Sequence, residues 1–531
     1  MVEMVTQRRR AAGVLLAGAL LLTGCSGGSG GVTRSSGDRS APGQAAPGQA
    51  APAPTVSQAP DGRPASPDRL STFALDVDTA SYGYARRTLA EGRLPDPADV
   101  RPEEFVNSFR PDYPRPKDNG FSVTLDGARA GAAGWSLLRV GLATRPSDGE
   151  RPPAALTFVV DVSGSMGEPG RLGLVKESLG LLADRLRDDD SVALVTFSSD
   201  AEVRLPMTRV GGNRGRLHDA VDALETSSST NVEAGVRTGY DVAVDGRRAG
   251  ATNRVVLLSD ALANTGDTDA AGILERIDQE RRAYGITLFG VGVGSDYGDA
   301  FMEKLADKGD GHTTYVSTPE QARKVFVDQL PGHVELRARD AKAQVAFDPA
   351  TVESFRLIGY ENREVADEDF RDDRVDGGEV GAGHTVTALY AVKLRPGAAG
   401  TAGEPGKAGK AGKAGGAGTA GARGRVATAT VRWLDPVTRA PHERSGTVDA
   451  AALTGTAIWD GGHDSLQLTA IAAYFADRLR GGQLPGAPAL SSLAAHAAAL
   501  AERAGSASVR ELAEAIRSAD SLDDSSDPYA S

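Results

Sequence analysis

Between residues 155 and 331, short apolar runs alternate with longer stretches in which apolar positions recur every three or four residues. The runs at 155–161, 191–198, 201–206, 253–259, 285–293 and 313–317 predict strands. Those without polar alternation, such as Ala155-Leu156-Thr157-Phe158-Val159-Val160, predict strands covered on both faces. The stretches 170–187, 213–225, 232–244, 268–283, 297–309 and 319–330 carry helical spacing. Alternation of this kind predicts a mostly parallel sheet with helices on both faces, whose ligands bind beyond the carboxyl ends of the strands.

The flanking segments follow other periods. Ser71 opens a strand that leads into a helix at 81–90, stopped by Gly92 and Pro95, and a second helix spans 101–109 with Pro102 in its first turn. Residues 121–125 and 135–142 alternate as antiparallel strands do. Strand signals return at 334–337, 343–347, 354–360, 384–392 and 426–434. The strands before and after the central region are expected to join in one β-sandwich, with the central domain inserted between them. The last stretch is helical, at 465–480, 489–503 and 508–518. Ser508 to Glu511 has capping-box spacing, Leu512, Ala515 and Ile516 form a core stripe, and the polar residues 520–531 are expected to fray.

Composition adds an N-terminal address. Arg8-Arg9-Arg10 precedes the apolar residues 11–22, too few to span a bilayer, and the run ends in Leu22-Thr23-Gly24-Cys25. This pattern resembles a bacterial lipobox, which implies that residues 1–24 are a signal peptide and that Cys25, the chain's single cysteine, is lipidated. The chain would then sit on the outer face of a bacterial cell membrane, held only through its lipid. The following residues, to 68, are mostly Gly, Ser, Ala, Pro and Gln, the composition of a disordered tether. The net charge of −12 becomes −14 once residues 1–24 are removed, which disfavours nucleic acid as a partner. Glycine recurs at every third position through the Gly-Lys-Ala segment 397–425, but only Pro405 supplies ring stiffness, so a flexible loop is expected rather than a collagen helix.

The candidate chemistry lies at the end of the first central strand. Asp161-Val162-Ser163-Gly164-Ser165 offers one carboxylate and two hydroxyls on alternate residues. These are hard oxygen donors suited to Mg²⁺. Ser227 to Asn231 opens a helix, so Thr230 lies in a loop, and Asp260 ends the strand at 253–259. This D-x-S-x-S turn, with a threonine and an aspartate downstream, resembles the metal-ion-dependent adhesion site of von Willebrand factor A domains. The resemblance implies a site of Asp161, Ser163, Ser165, Thr230 and Asp260 around Mg²⁺ or another divalent cation. Hydroxyl ligands leave such a cation under-neutralised, which favours an outside carboxylate. Residues 71–116 and the stretch from Asp369 to Tyr390 resemble the flanking regions of a family of bacterial lipoproteins that carry this domain.

The boundaries that follow are a signal peptide at 1–24, a lipidated tether at 25–68, an N-terminal family region at 69–150, the von Willebrand factor A domain at 151–332, a β-rich region at 333–462 and helices at 463–531. Asp76 and Asp78 lack the third oxygen position and the glycine of an EF-hand loop and read as capping or turn residues, and the acidic residues 369–379 read as a solvated turn. No zinc-protease helix is present, no serine sits in a strand–turn–helix G-x-S-x-G frame, and the histidines are scattered. The expected function is non-enzymatic capture of a protein or cell-envelope ligand that offers a carboxylate. A structural part of an envelope complex is the alternative, and an envelope hydrolase the weakest reading.

Overall fold

A computed structural model describes residues 69–526, apart from 76–77, 148–150, 228, 261–266, 295–301, 303–304, 306–311, 330–334, 399–423 and 462. Cys25, the tether, Asp76 and nearly all of the Gly-Lys-Ala segment therefore lie outside the described residues.

The chain enters through β1 (Leu70–Ala74), helices Ala80–Ala90 and Pro102–Asn107, β2 (Phe121–Arg129) and β3 (Trp135–Thr144). The central region then supplies β4 (Ala154–Asp161), β5 (Ser191–Phe197), β6 (Ala201–Arg209), β7 (Thr252–Ser259), β8 (Thr287–Val293) and β9 (His312–Val316). These form one sheet in the order β6-β5-β4-β7-β8-β9. All neighbours are parallel except β6, which runs antiparallel at one edge. Every residue of β4, β5, β7, β8 and β9 is buried, polar ones such as Arg254 and His312 included, because both faces of the sheet are covered. The edge strand β6 is instead largely exposed and carries Glu202, Arg204 and Pro206, which discourage further strand pairing.

Alternate residues of each inner strand serve different cores. Phe158 and Val160 pack with helices Leu172–Arg185 and Arg214–Asp222, whereas Val159 packs with helices Val232–Asp245 and Asp267–Tyr284 on the other face. The helix expected at 297–309 lies outside the described residues except for Met302 and Leu305, both buried. The helix expected at 319–330 is regular only over Pro319–Arg323 and widens to a π-type turn over Lys324–Gln329.

Past the central sheet come β10 (Leu336–Phe347), β11 (Val352–Ile358), β12 (Gly378–Gly381), β13 (Thr385–Leu394), β14 (Arg425–Leu434) and β15 (Pro441–Asp449). They combine with the first three strands in two antiparallel sheets, β1-β10-β14-β15 with β12 on β10, and β11-β13-β3-β2. Strand β3 pairs with β13 from Ala143↔Thr385 to Trp135↔Lys393, so the central domain is inserted within the β-rich unit. Residues of both sheets share one core, in which Phe347 stacks on Phe355 at 3.9 Å and Phe121 meets Trp433 edge-on at 5.2 Å. Helices Asp464–Leu479, Leu490–Ala504 and Ala507–Ser526 make a fourth core with the N-terminal helices, where Phe105 meets Phe475.

Three expectations are corrected here. The final helix runs to Ser526 rather than fraying from Asp520, because Ala519 is buried and Leu522 packs on the same stripe as Leu512 and Ile516. Its first turn is capped by Ser506, which accepts from Val509 N, and Glu511 pairs with Arg86 instead of closing a capping box. Asp78 is neither a cap nor a turn residue. It is buried, accepts from the Thr313 N–H at 3.0 Å, and so ties the N-terminal segment to β9.

Candidate metal centre

Strand β4 is flanked by β5 on one side and β7 on the other, so the chain leaves it in one direction and later returns in the other. Such a switch point opens a crevice at the carboxyl ends of the strands. Asp161 occupies that end and is fully buried. One of its oxygens accepts from Ser163 N at 2.8 Å, which tightens the turn, and the other accepts from the Ser259 hydroxyl at 2.5 Å, which joins the ends of β4 and β7.

The remaining donors converge on the same turn. The Ser163 and Ser165 hydroxyls lie 3.1 Å apart, and Ser165 Oγ donates to Asp260 Oδ1 at 3.0 Å. Burial raises the Asp161 carboxyl above its ordinary range, the bonds from Ser259 and Ser163 oppose that rise, and the nearby Asp260 charge adds to it. Among the described residues no basic side chain touches Asp161. Among the described residues its negative charge is met by the Ser163 N–H and by the Ser259 and Ser163 hydroxyls.

Asp260 is compensated differently. Arg171 Nη1 donates to Asp260 Oδ2 at 2.6 Å and to the Ser165 carbonyl at 3.1 Å, with both charged side chains buried. Arg171 precedes helix Leu172–Arg185, a position where the helix dipole disfavours a cation unless carboxylates offset it. Here Asp260 and Glu168 do so.

Thr230 sits half-buried on the adjoining loop. That loop is held against the first turn by Ser227 N, which donates to the Val162 carbonyl at 2.6 Å. Ser229 adopts a left-handed conformation (φ 74°), and Asn231, rather than Thr230, caps the following helix through Ala234 N. The Thr230 hydroxyl makes no hydrogen bond among the described residues. The structure thus brings Asp161, Ser163, Ser165 and Asp260 into one bonded cluster and leaves Thr230 on the loop beside it.

The donor set fits a hard divalent cation. It offers two carboxylates and two serine hydroxyls on a turn where Asp161 and Ser163 are buried and Ser165 is exposed, and among the described residues Asp161 has no cationic partner. Among the described residues there is no group of three or more His, Cys, Asp or Glu side chains of the kind that holds zinc or a carboxylate-rich calcium ion. Sequence reasoning missed Ser259 and Arg171. Ser259 carried no signal beyond its place before Asp260. Arg171 carried one in the form of a basic residue at a helix start.

Other sequence candidates serve packing. Glu379, read as part of a solvated acidic turn, is buried and pairs with Arg254 Nη2 at 2.7 Å. Lys342 Nζ donates to the carbonyls of Asp372 and Val375 and holds that turn from within. His442 stacks on Trp433 and His496 on Trp459, both far from metal chemistry.

Comparison with known proteins matches three stretches of the chain. Residues 155–328 match the von Willebrand factor type A domain, residues 58–136 the family described as von Willebrand factor, and residues 334–522 that described as Uncharacterized protein YfbK, C-terminal. The central unit is therefore a von Willebrand factor A domain. The chain is 38% identical over 339 residues to Uncharacterized protein YfbK of Escherichia coli (strain K12), covering 61% of this chain and 58% of that protein. It is 28% identical over 191 residues to Uncharacterized protein sll0103 of Synechocystis, covering 36% of this chain and 44% of the relative. Among solved structures, a von Willebrand factor type A protein from Catenulispora acidiphila aligns at 17% identity and a TM-score of 0.45, over 75% of this chain and 89% of that one.

Proposed function

We propose that this YfbK-like chain is a surface-anchored lipoprotein that captures a protein or cell-envelope ligand through a divalent cation, most simply Mg²⁺, and that it is not an enzyme. The observation that carries this reading is the buried Asp161 carboxylate, surrounded by serine hydroxyls and Asp260, with no basic partner among the described residues. Asp161, Ser163, Ser165 and Asp260 would hold the cation, and Thr230 stands on the loop beside them. When bound, the cation supplies a Lewis-acid seat for an outside carboxylate. Lipidation at Cys25 and the segment up to residue 68 would carry the domain away from the outer face of the membrane.

The test is a pull-down from envelope extract with the chain from residue 26 onward, run in Mg²⁺ and in chelator. Wild type should retain a partner in Mg²⁺ and release it in chelator, and Thr230→Ala should lose retention with an unchanged melting temperature. Retention that ignores chelator would refute the reading. A large fall in the melting temperature of Thr230→Ala, with capture intact, would favour a structural metal in an envelope complex instead.

A further inference from the structure

Arg171 sits where a second cation is not expected. Its guanidinium bridges the Ser165 carbonyl and Asp260 Oδ2 within the cluster that the foregoing reading assigns to a metal. It is built into place from behind. Gly294, at the carboxyl end of β8, has φ +95°, and a Cβ there would lie 2.8 Å from Arg171 Nε. The missing side chain leaves the room through which Arg171 reaches Asp260.

The charge count has a consequence for the ligand. Asp161 and Asp260 contribute two negative charges and Arg171 one positive charge, all from buried side chains. Glu168 also meets Arg171, at 2.8 Å, but its side chain is 63% exposed and is screened by water. A divalent cation added to this set leaves a net positive charge. The same cation held by the two carboxylates without Arg171 would be neutralised. We propose that Arg171 sets the anion preference of the site. By occupying Asp260 it weakens the hold on the cation and keeps the loaded site positive, so that it takes a carboxylate-bearing partner. This rests on the metal reading above and adds the residue that fixes the partner's charge.

The experiment is calorimetric titration of the chain from residue 26 with Mg²⁺ alone, for wild type, Arg171→Gln, Asp260→Asn and the double variant. Arg171→Gln should bind Mg²⁺ at least about tenfold more tightly and Asp260→Asn at least about tenfold more weakly, the lower limit for one unit charge a few ångströms from a divalent ion when the surroundings screen as strongly as water. The double variant restores the original charge sum and should return to within about threefold of wild type. In saturating Mg²⁺, a blocked peptide bearing a single glutamate should bind wild type and the double variant better than Arg171→Gln, and its glutamine counterpart should bind none of them. Mg²⁺ affinity in Arg171→Gln equal to or weaker than wild type, or a double variant no closer to wild type than either single one, overturns the proposal. The double variant removes the ion pair as a unit, so it keeps the test open if Arg171→Gln fails to fold. Wild type that takes up no Mg²⁺ at all overturns the metal reading itself, a different result from the failure of Arg171 alone.

Discussion

Glu379→Gln is the substitution with the largest consequence that can be worked from the geometry. Arg254, on β7 of the central sheet, is fully buried and reaches Glu379 on β12 of the β-rich unit at 2.7 Å, while its Nε donates to Thr287 at 2.9 Å. Burial pulls the Arg254 guanidinium below its ordinary pKa, and the Glu379 charge holds it up. Glutamine keeps the shape of residue 379 but removes that charge. Two unit charges whose centres lie about 4 Å apart in a partly polarisable interior attract by about 4 kcal/mol, and stripping one partner from a buried pair costs about 3–5 kcal/mol. Arg339, 3.6 Å from the other Glu379 oxygen, loses its partner as well. The assay is urea denaturation followed by tryptophan fluorescence. Trp135, Trp433 and Trp459 all lie outside the central domain, so the signal reads the unit that Glu379 belongs to. Glu379→Gln is expected to lose about 3–5 kcal/mol, whereas Arg254→Met with Glu379→Leu should fall within about 1 kcal/mol of wild type. A single variant as stable as wild type would refute the reasoning, because it would mean that water already reaches the pair.

Two further outcomes follow from packing and protonation. Gly141→Ala would place a Cβ 2.3 Å from the Tyr113 ring, beneath the bond between Tyr113 and Thr387, and should lower stability by about 1–3 kcal/mol in thermal melts. His384 is buried, and burial holds its imidazole well below the ordinary range. The unfolded chain gains a proton below about pH 6.5 that the folded chain refuses, so stability is full above that pH and declines as pH falls below it. Denaturation at pH 7.5 and 5.5 should show the decline in wild type and a smaller one in His384→Asn.

The central sheet was legible because parallel strands covered on both faces cannot carry polar alternation, and β4, β5, β7 and β8 each hold an apolar run, such as Val255 to Leu258 in β7, with their polar residues mostly at the ends. The turn at Asp161 and the aspartate at 260 were legible for the same reason, since each ends such a run. Strand β15 was not legible, because it is an edge strand whose residues Pro441 to Gly446 are charged, polar or small and mostly exposed. The burial of Asp78 and Glu379 was hidden too. Each acid is satisfied by a partner remote in sequence, Thr313 and Arg254, and no local pattern encodes such a pairing. Arg171 shows an intermediate case. Its position at a helix start hinted at an acidic partner, but only the fold identifies that partner as Asp260.

The most direct measurement is uptake of Mg²⁺ by the folded chain, titrated calorimetrically for wild type and Asp161→Ala at matched concentration and pH. Wild type should bind one ion and Asp161→Ala should show no saturable binding while keeping a cooperative melt. Equal uptake by the two proteins would contradict a metal centre at the end of β4.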